Sequence, residues 1–282
     1  MATVRAYSNG VTVHVGGTGS HTRAKRGRVV GWSAAAVRRH TRWLYGVHVP
    51  DLDGDGWALT LTLRVCPTSA EEWTDLRRAW VRKVREDLGA VRWHWVVEWQ
   101  RRGVPHIHAA VYLPPGVSGW EAVAAWLAVA ERFEAGWGSQ TAKPIDGPEG
   151  WLKYLSKHAA RGVAHYQRQG MPEGWSSTGR LWGYGGRWPV LEPVEVGVDL
   201  AEFWRFRRLV RAWRVADARA AGYRGEGWGR LTYARRMLRD PDRARSAYRG
   251  VSEWVPEAMA LRLLDVVKGG PVVGEDGGPW GP

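Results

Sequence analysis

Alternating apolar and polar residues predict three β-strands in the first half of the chain. Residues 57–64 place a leucine at every second position from 59 to 63, which is typical of a strand with one buried and one polar face. Two further strands are predicted at 91–99 and 106–113, on either side of a short connection that contains Gly103. Such a connection joins neighbouring strands as an antiparallel hairpin.

Outside the predicted strands, many apolar residues recur at intervals of three and four positions, which is typical of amphipathic helices. This spacing predicts helices over 33–44, 69–88, 119–135 and 148–161. Ser33 is a favourable N-cap for the first helix, and Pro148 suits the first turn of the last. Strands and helices in this order predict an α+β fold in which helices flank a central antiparallel sheet.

Composition divides the chain into four segments. Residues 1–40 are rich in glycine, threonine and arginine and are predicted as a basic N-terminal arm that leads into the first helix, with 11–15 also compatible with a short strand. Residues 41–190 contain the predicted sheet and helices. Residues 191–268 are predicted as a helical, arginine-rich C-terminal domain, and 269–282 as a disordered Gly/Pro tail.

The charge balance favours a polyanionic partner. The formal net charge is +13 and the sequence pI is about 10.3, and neither end carries a basic amphipathic anchor, so nucleic acid is favoured over a membrane surface. The single cysteine, Cys66, excludes an internal disulfide and a thiolate metal cage. The chain has no run of eighteen apolar residues and no signal peptide at its start, which predicts a cytoplasmic protein without a membrane partner.

The predicted hairpin carries two histidines and a glutamate on one face. Side chains alternate along a strand, so His106 and His108 project to the same side. A turn near Arg102 sets Glu98 opposite His106, and cross-strand partners share a face. Two imidazoles and a carboxylate suit Mn²⁺ or Mg²⁺, and zinc fits the same donors. His94 is a weaker candidate for this site, and a pair of ordinary strand histidines is the alternative.

The last predicted helix presents a tyrosine beside basic residues. Tyr154, Lys157, His158 and Arg161 follow i, i+3, i+4, i+7 spacing and form one polar face. An ammonium one turn from a phenol favours the phenolate and can hold a phosphate, so Tyr154 is a candidate nucleophile toward a phosphodiester. Transfer to a phenol conserves the energy of the phosphodiester bond, and the cut strand can be rejoined. The alternative is an ordinary amphipathic helix, because Tyr-x-x-Lys alone is a weak signature.

Three short motifs follow one another in a definite order along the chain. They are Leu59-Thr-Leu-Thr on the first strand, the metal motif at 98–108, and Tyr154-Leu-Ser-Lys. Together with Arg180-Leu-Trp-Gly, they resemble the strings carried by the HUH-type rolling-circle replication initiators of plasmids and filamentous phages. The likeness covers roughly residues 40–190.

This resemblance implies a fold and a reaction. The fold would be an HUH endonuclease domain with a ferredoxin-like or RRM-like core. The reaction would nick one strand of origin DNA through a 5′-phosphotyrosine intermediate and leave a 3′-hydroxyl for a polymerase. The residues implied in the chemistry are the metal ligands Glu98, His106 and His108, the nucleophile Tyr154, and its phosphate partner Lys157. The residues implied in DNA contact are Thr60, Thr62, Arg64, Lys153 and Arg161.

The chain departs from the two-tyrosine members of this family. Those members carry two tyrosines four residues apart on one helix, whereas Gly150 occupies the earlier position here. A single-tyrosine enzyme is therefore predicted, and termination would need a second subunit or another nucleophile. No Gly-x-x-x-x-Gly-Lys-Ser/Thr motif is present in the sequence, so a host helicase is expected to unwind the duplex. The arginine-rich segment 196–250 would bind origin DNA or a second copy of the chain in a homo-oligomer, and a solvated helical surface without a partner is the equal alternative.

Three other functions share part of this evidence. An HUH transposase or mobilisation relaxase would use the same site chemistry for a different purpose. A non-catalytic nucleic-acid-binding protein would carry the histidines as structural residues. A metal-dependent hydrolase would cleave DNA without a covalent intermediate on Tyr154.

Overall fold

The structure, a computed structural model, describes six stretches of the chain, which are residues 1–15, 27–147, 151–152, 166–220, 231–232 and 251–270. The chain divides into two compact units. The smaller unit contains Met1–His21, Thr41–Val47 and Leu191–Pro282, and the larger unit contains Thr22–His40 and His48–Val190. Each unit has a sheet of its own.

The strands, in chain order, are β1 (Ala2–Tyr7), β2 (Gly10–Val15), β3 (Asp55–Leu61), β4 (Arg92–Trp99), β5 (Pro105–Leu113), β6 (Thr141–Pro144), β7 (Trp182–Gly186), β8 (Val194–Val198) and β9 (Ser252–Glu253). The α-helices are α1 (Ala34–Gly46), α2 (Ala70–Glu86), α3 (Gly119–Val129), α4 (Tyr166–Gln169), α5 (Leu200–Ala220) and α6 (Glu257–Val267). Short 3-10 helices occupy Val49–Asp51, Glu131–Phe133 and Trp137–Ser139.

A five-stranded antiparallel sheet lies at the centre of the larger unit, with strand order β6-β3-β5-β4-β7. The three strands predicted from alternation correspond to β3, β4 and β5. The segment that follows the predicted helices adds β7 at the edge, where it pairs with β4. The predicted α+β fold, with a central antiparallel sheet and flanking helices, is confirmed.

Two helices cover one face of this sheet. Trp73 and Trp80 of α2 and Trp126 of α3 have no solvent exposure, and their rings meet edge to face, a favoured aromatic arrangement. Arg77 of α2 stacks on the ring of Trp95 in β4, at 3.8 Å from its centroid. Strand residues alternate between faces, so the apolar side chains of β4 pack under these helices and its polar side chains lie on the other face.

Serine side chains mark where the helices of the larger unit begin. Ser33 and Ser69 each accept a hydrogen bond of 3.1 Å from the N–H three residues later, which satisfies a helix donor that would otherwise lack a partner. The helix predicted over 119–135 is shorter in the structure, where α3 ends at Val129. The chain leaves the helix through a 3-10 turn, and Glu134 then adopts a left-handed φ of 52°.

The smaller unit contains a four-stranded antiparallel sheet with strand order β8-β1-β2-β9. Helices α5 and α6 pack on it through a core that includes Val4, Phe206 and Leu264. Ala2–Tyr7 and Gly10–Val15, within the segment 1–40 that was predicted as a basic arm, form β1 and β2, and β2 includes the stretch 11–15 that the sequence also allows as a short strand. Their small apolar residues bury a face only against distant elements, which the local composition does not reveal.

The C-terminal region combines helices with short strands. Helices α5 and α6 lie in the segment predicted as helical, and β8 and β9 belong to the same segment. The part of the predicted Gly/Pro tail from residue 271 onward lies outside the described residues. None of the helices in the described stretches has the length and apolar character that a bilayer crossing requires.

Candidate metal centre

The hairpin of β4 and β5 sets the register of the site. Gly103, in the connecting turn, has a φ of 79°, a conformation that glycine adopts without a steric cost. Glu98 pairs directly with His106 across the two strands, as the sequence predicts. Paired residues project to the same face, and His108 lies two positions further along β5. The hairpin therefore brings the three predicted ligands together on one face of the sheet.

The donor atoms of these three side chains converge. The Nε2 atoms of His106 and His108 lie 3.0 Å apart, and Oε2 of Glu98 lies 3.6 Å from Nε2 of His108 and 4.0 Å from Nε2 of His106. Nitrogen and oxygen ligands about 2.1 Å from one ion stand roughly 3.0–3.5 Å apart when they are neighbours in its coordination shell. The separation of the two Nε2 atoms lies in this range and the two separations from Oε2 of Glu98 lie above it, so small side-chain adjustments would let the three residues hold a single divalent cation.

The site is buried. The Glu98 side chain has no solvent exposure, and His106 and His108 are 7% and 8% exposed. Burial of a carboxylate costs free energy unless a positive partner compensates it. A cation between the carboxylate and the imidazoles would supply that compensation. Among the described residues, this is the only group of three or more His, Cys, Asp or Glu side chains with metal-ligand spacing.

Thr60 orients one of the imidazoles. Its Oγ1 lies 3.2 Å from Nδ1 of His108, and the two residues are cross-strand partners between β3 and β5. When Nδ1 carries the proton, it donates to the Thr60 hydroxyl and leaves the Nε2 lone pair directed at the metal position. Hydrogen bonds of this kind hold metal-binding histidines in one tautomer and one orientation. Thr60, predicted from the sequence to contact DNA, therefore contacts a predicted metal ligand.

His94 lies on the same sheet face as Glu98, but its ring contacts His40, which is not one of the three proposed ligands. Its Nε2 lies 2.9 Å from Nε2 of His40, and the two rings are stacked with centroids 5.0 Å apart. Burial lowers the pKa of His94 to about 3. Burial, followed by the charges of His94 and Arg168, lowers the pKa of His40 well below its usual range. This buried pair is a second polar cluster on this face, and the sequence pattern did not indicate His40.

Two other predicted DNA contacts lie near the end of β3. The Thr62 hydroxyl donates to the carbonyl of Ser139 at 3.1 Å, and its N–H donates to Oε1 of Gln140 at 2.7 Å. Arg64 is exposed and pairs with Glu134 at 3.4 Å. Thr60 therefore contacts His108 in the candidate metal centre. Thr62 and Arg64 instead contact residues that follow α3.

A cavity of about 610 Å³ opens beside Thr60. Its lining includes Thr141 and Lys143 of β6, Asp146, and Trp151. Thr141 is the cross-strand partner of Thr60, and Thr60 in turn pairs with His108, so the cavity and the candidate metal centre share Thr60 as a neighbour. The sequence pattern did not single out Thr141 or Lys143, because β6 spans only four residues and shows no clear alternation.

The remaining predicted site residues are in the segment that follows Trp151. Tyr154, Lys157, Lys153 and Arg161 all lie outside the described residues. Their roles as nucleophile, phosphate partner and DNA contacts stay predictions.

Comparison with known proteins identifies related chains. A family model for the replication-associated protein ORF2/gene II protein matches residues 56–160. A protein of Xylella fastidiosa (strain 9a5c) named as a replication protein is 50% identical over 252 residues, which cover 86% of this chain and 87% of that protein. A second, from Xylella fastidiosa (strain Temecula1 / ATCC 700964), is 48% identical over 247 residues, covering 83% of this chain and 91% of the other.

A phage protein extends the comparison. A replication-associated protein of Pseudomonas phage Pf3 is 40% identical over 252 residues, 87% of this chain and 88% of that protein. No solved structure shows significant similarity. Identity at this level over most of both sequences means that the chain belongs to the replication-associated protein ORF2/gene II protein family, which confirms the resemblance to rolling-circle replication initiators inferred from its motifs.

Proposed function

We propose that this protein initiates rolling-circle replication by nicking one strand of origin DNA and holding the new 5′ end on Tyr154. The observation that carries the proposal is the convergence of Glu98, His106 and His108 on one sheet face. The names of the relatives, which concern replication in a phage and in Xylella fastidiosa, favour initiation over transposition or mobilisation.

Glu98, His106 and His108 would hold a divalent cation, Mn²⁺ or Mg²⁺. Two nitrogen donors and one carboxylate oxygen leave coordination positions for a phosphate oxygen, and this mixed set suits those ions. A bound divalent cation would act as a Lewis acid on the scissile phosphate. Thr60 would support this role by keeping the His108 ring in place through its 3.2 Å hydrogen bond.

The cavity beside Thr60 would receive the strand to be cut. Lys143 in its lining supplies a positive charge for the phosphate backbone, and Thr141 supplies a hydroxyl donor. Trp151 lines the same cavity and precedes Tyr154 by three residues. Three residues of chain span at most about 11 Å, and this short separation in sequence supports a role for Tyr154 at a strand bound in this cavity.

The proposed reaction exchanges one phosphodiester for another. The Tyr154 phenolate oxygen attacks the scissile phosphorus, a new P–O bond to the tyrosine forms, and the bond to the 3′-oxygen breaks. The 3′-oxygen takes up a proton and becomes a free hydroxyl, while the 5′-phosphate is held as a tyrosyl ester. Lys157 would favour the phenolate and neutralise phosphate charge, and Lys153 and Arg161 would contact neighbouring phosphates.

The products fit the needs of replication. The free 3′-hydroxyl would serve a host polymerase, and a host helicase would separate the strands. Because the tyrosyl ester conserves the energy of the bond that was cut, attack by a 3′-hydroxyl reverses the reaction and rejoins the strand. With Tyr154 as a single nucleophile, a second copy of the chain would take part in termination.

A covalent-adduct assay tests this proposal. Single-stranded oligonucleotides that tile the origin of the replicon are incubated with the full chain and Mn²⁺, and the products are separated in SDS. We expect one oligonucleotide to give an SDS-resistant adduct that EDTA prevents. Tyr154→Phe abolishes the adduct, whereas the matched variant Tyr166→Phe retains it.

Other outcomes would favour the alternatives. Cleavage that persists in Tyr154→Phe without an adduct would indicate a metal-dependent hydrolase. Binding without cleavage on every strand would indicate a non-catalytic DNA-binding protein. Adduct formation confined to transposon ends or a transfer origin would indicate a transposase or relaxase with the same chemistry.

A further inference from the structure

An arginine-lined groove lies on the larger unit, next to the sheet face that is covered by α2. It encloses about 1050 Å³ between α2 and the segment that leads into β7. Its lining contains a single acidic side chain, Asp75, and five arginines, which are Arg77, Arg78, Arg82, Arg85 and Arg180. This excess of positive charge marks the groove as a site for a polyanion.

The floor of the groove holds a guanidinium in a fixed position. Arg77 is 7% exposed, and its guanidinium stacks on the Trp95 ring at 3.8 Å from the centroid. Burial, followed by the charges of Arg78 and Arg180, lowers the pKa of Arg77 to about 10. Within the described part of the chain, no carboxylate lies at ion-pair distance from Arg77. A fixed cation without a carboxylate partner is suited to an anion from outside the protein.

The edge strand β7 also lies against the Trp95 ring, because Gly183 is the cross-strand partner of Trp95. A Cβ built on Gly183 would lie 2.6 Å from the Trp95 ring, so only glycine lets β7 approach the ring this closely. Trp95 is thus in contact with both β7 and Arg77, and these contacts restrict the position of its ring.

The walls of the groove carry the remaining charges. Arg78, Arg82 and Arg85 are exposed and follow i, i+4, i+7 spacing, so they form a stripe of about 10 Å along α2. Arg180 stands exposed on the opposite wall. Two of the arginines on α2 have acidic neighbours on the surface, Arg78 with Asp75 at 3.4 Å and Arg85 with Glu86, and exposed pairs of this kind are weak.

We propose that this groove binds the phosphate backbone of a single DNA strand, at a site separate from the metal centre. Positive charges on the floor and on both walls can neutralise one chain of phosphates that enters between them. A duplex carries its phosphates on two ridges and would reach only the rims. The helix and strand that form the groove flank the sheet face opposite the histidines, so this strand is not the one at the scissile phosphate. This inference rests on the proposed function for its biological setting, since a nick in a duplex yields a separated strand.

A salt titration tests the groove independently of cleavage. The affinity of the full-length protein for a fluorescent oligo(dT) strand is measured at several salt concentrations in EDTA. The triple variant Arg78→Gln, Arg82→Gln, Arg180→Gln removes three predicted phosphate contacts. Each contact on a single strand contributes about 0.7 to the slope of log affinity against log salt, so we expect the slope to decrease in magnitude by about 2.

A matched control removes the same charge elsewhere. The triple variant Arg132→Gln, Arg262→Gln, Lys268→Gln changes three side chains outside the groove, and we expect it to retain the wild-type slope. Equal slopes in the two triple variants would overturn the proposal, because the effect would then follow net charge alone. The proposal would also be overturned if the groove variant changed the salt slope for a duplex of the same length and left the slope for oligo(dT) unchanged. Because the strand has no nick site and the assay contains EDTA, the result is independent of adduct formation on Tyr154.

Discussion

The hydroxyl oxygen of Thr60 lies 3.2 Å from Nδ1 of His108. The two residues are neighbours across β3 and β5. When Nδ1 carries the proton, the hydroxyl oxygen accepts its hydrogen bond, and the Nε2 lone pair is then left for a metal ion. The first-strand motif therefore contacts the candidate metal centre through His108, one of its three proposed ligands.

Replacement of Thr60 tests this relationship. Thr60→Val keeps the shape of the side chain and removes the hydroxyl, so we expect Mn²⁺ affinity to fall about 10-fold or more, the usual effect of losing such support. Thr60→Ser keeps the hydroxyl and should stay close to the wild type. Isothermal titration calorimetry with Mn²⁺ measures both. Equal affinities for the valine and serine variants would mean that the hydrogen bond does not support the ligand.

Glu98 should couple metal binding to stability. A ligand that binds only the folded chain stabilises it by about 2.7 kcal/mol at 100 times its Kd. We expect saturating Mn²⁺ to raise the unfolding temperature of the wild type, and Glu98→Gln to lose that rise because the neutral amide is a poorer ligand. Differential scanning fluorimetry with and without Mn²⁺ measures the unfolding temperatures of both proteins. A full Mn²⁺-dependent rise in Glu98→Gln would remove the carboxylate from the ligand set.

The buried histidine pair predicts that stability falls in mild acid. The pKa values of His40 and His94 are lowered in the folded chain, to about 3 for His94, whereas the unfolded value is 6.5. Below pH 6.5 the unfolded chain binds more protons, so the free energy of unfolding decreases as pH falls from 6.5 toward the folded pKa. The loss is about 1.4 kcal/mol per pH unit for each histidine that stays neutral.

Urea unfolding at pH 7, 6 and 5 in EDTA measures this slope. His94→Asn removes one titrating group, so its stability should decline less steeply between pH 6.5 and 5 than that of the wild type. Parallel slopes for wild type and variant would show that His94 is not held neutral in the folded chain.

Two glycines in strands provide a packing test. Gly183→Ala places a Cβ 2.6 Å from the Trp95 ring, and we expect a loss of about 1–3 kcal/mol, the usual cost of overpacking. Gly197→Ala in β8 meets no atom within 4 Å, so it should be neutral or raise stability by up to about 1 kcal/mol. Chemical denaturation of both variants compares them. A Gly183→Ala variant as stable as the wild type would mean that β7 can move away from Trp95.

The convergence of Glu98, His106 and His108 is predictable from sequence because its geometry is local. A short turn with Gly103 fixes the register of β4 against β5, and alternation along two strands then decides which side chains share a face. Glu98 and His106 are only eight residues apart. Few conformations of this short segment form the turn and also place the apolar side chains of both strands on one face. The same local logic explains why the strands β3, β4 and β5 were predicted close to their observed bounds.

Features that depend on distant contacts were not predictable. His40 meets His94 across 54 residues of chain, and nothing in the sequence around His40 marks it as a buried partner. The sequence does not distinguish Arg77 from the other arginines of α2, which are exposed. In the structure, Arg77 is buried against the Trp95 ring. The hairpin of β1 and β2 acquires its buried face only from β8, α5 and α6, which are separated from it by most of the chain.

Peptide mapping of the covalent adduct identifies the residue that attacks the DNA. After reaction with an origin strand and Mn²⁺, the adduct is digested with nuclease and trypsin and analysed by mass spectrometry. We expect a nucleotide phosphate on the tryptic peptide of residues 154–157, which contains Tyr154. A modified peptide of residues 162–168, which contains Tyr166, or strand cleavage with no modified tyrosine peptide, would contradict it.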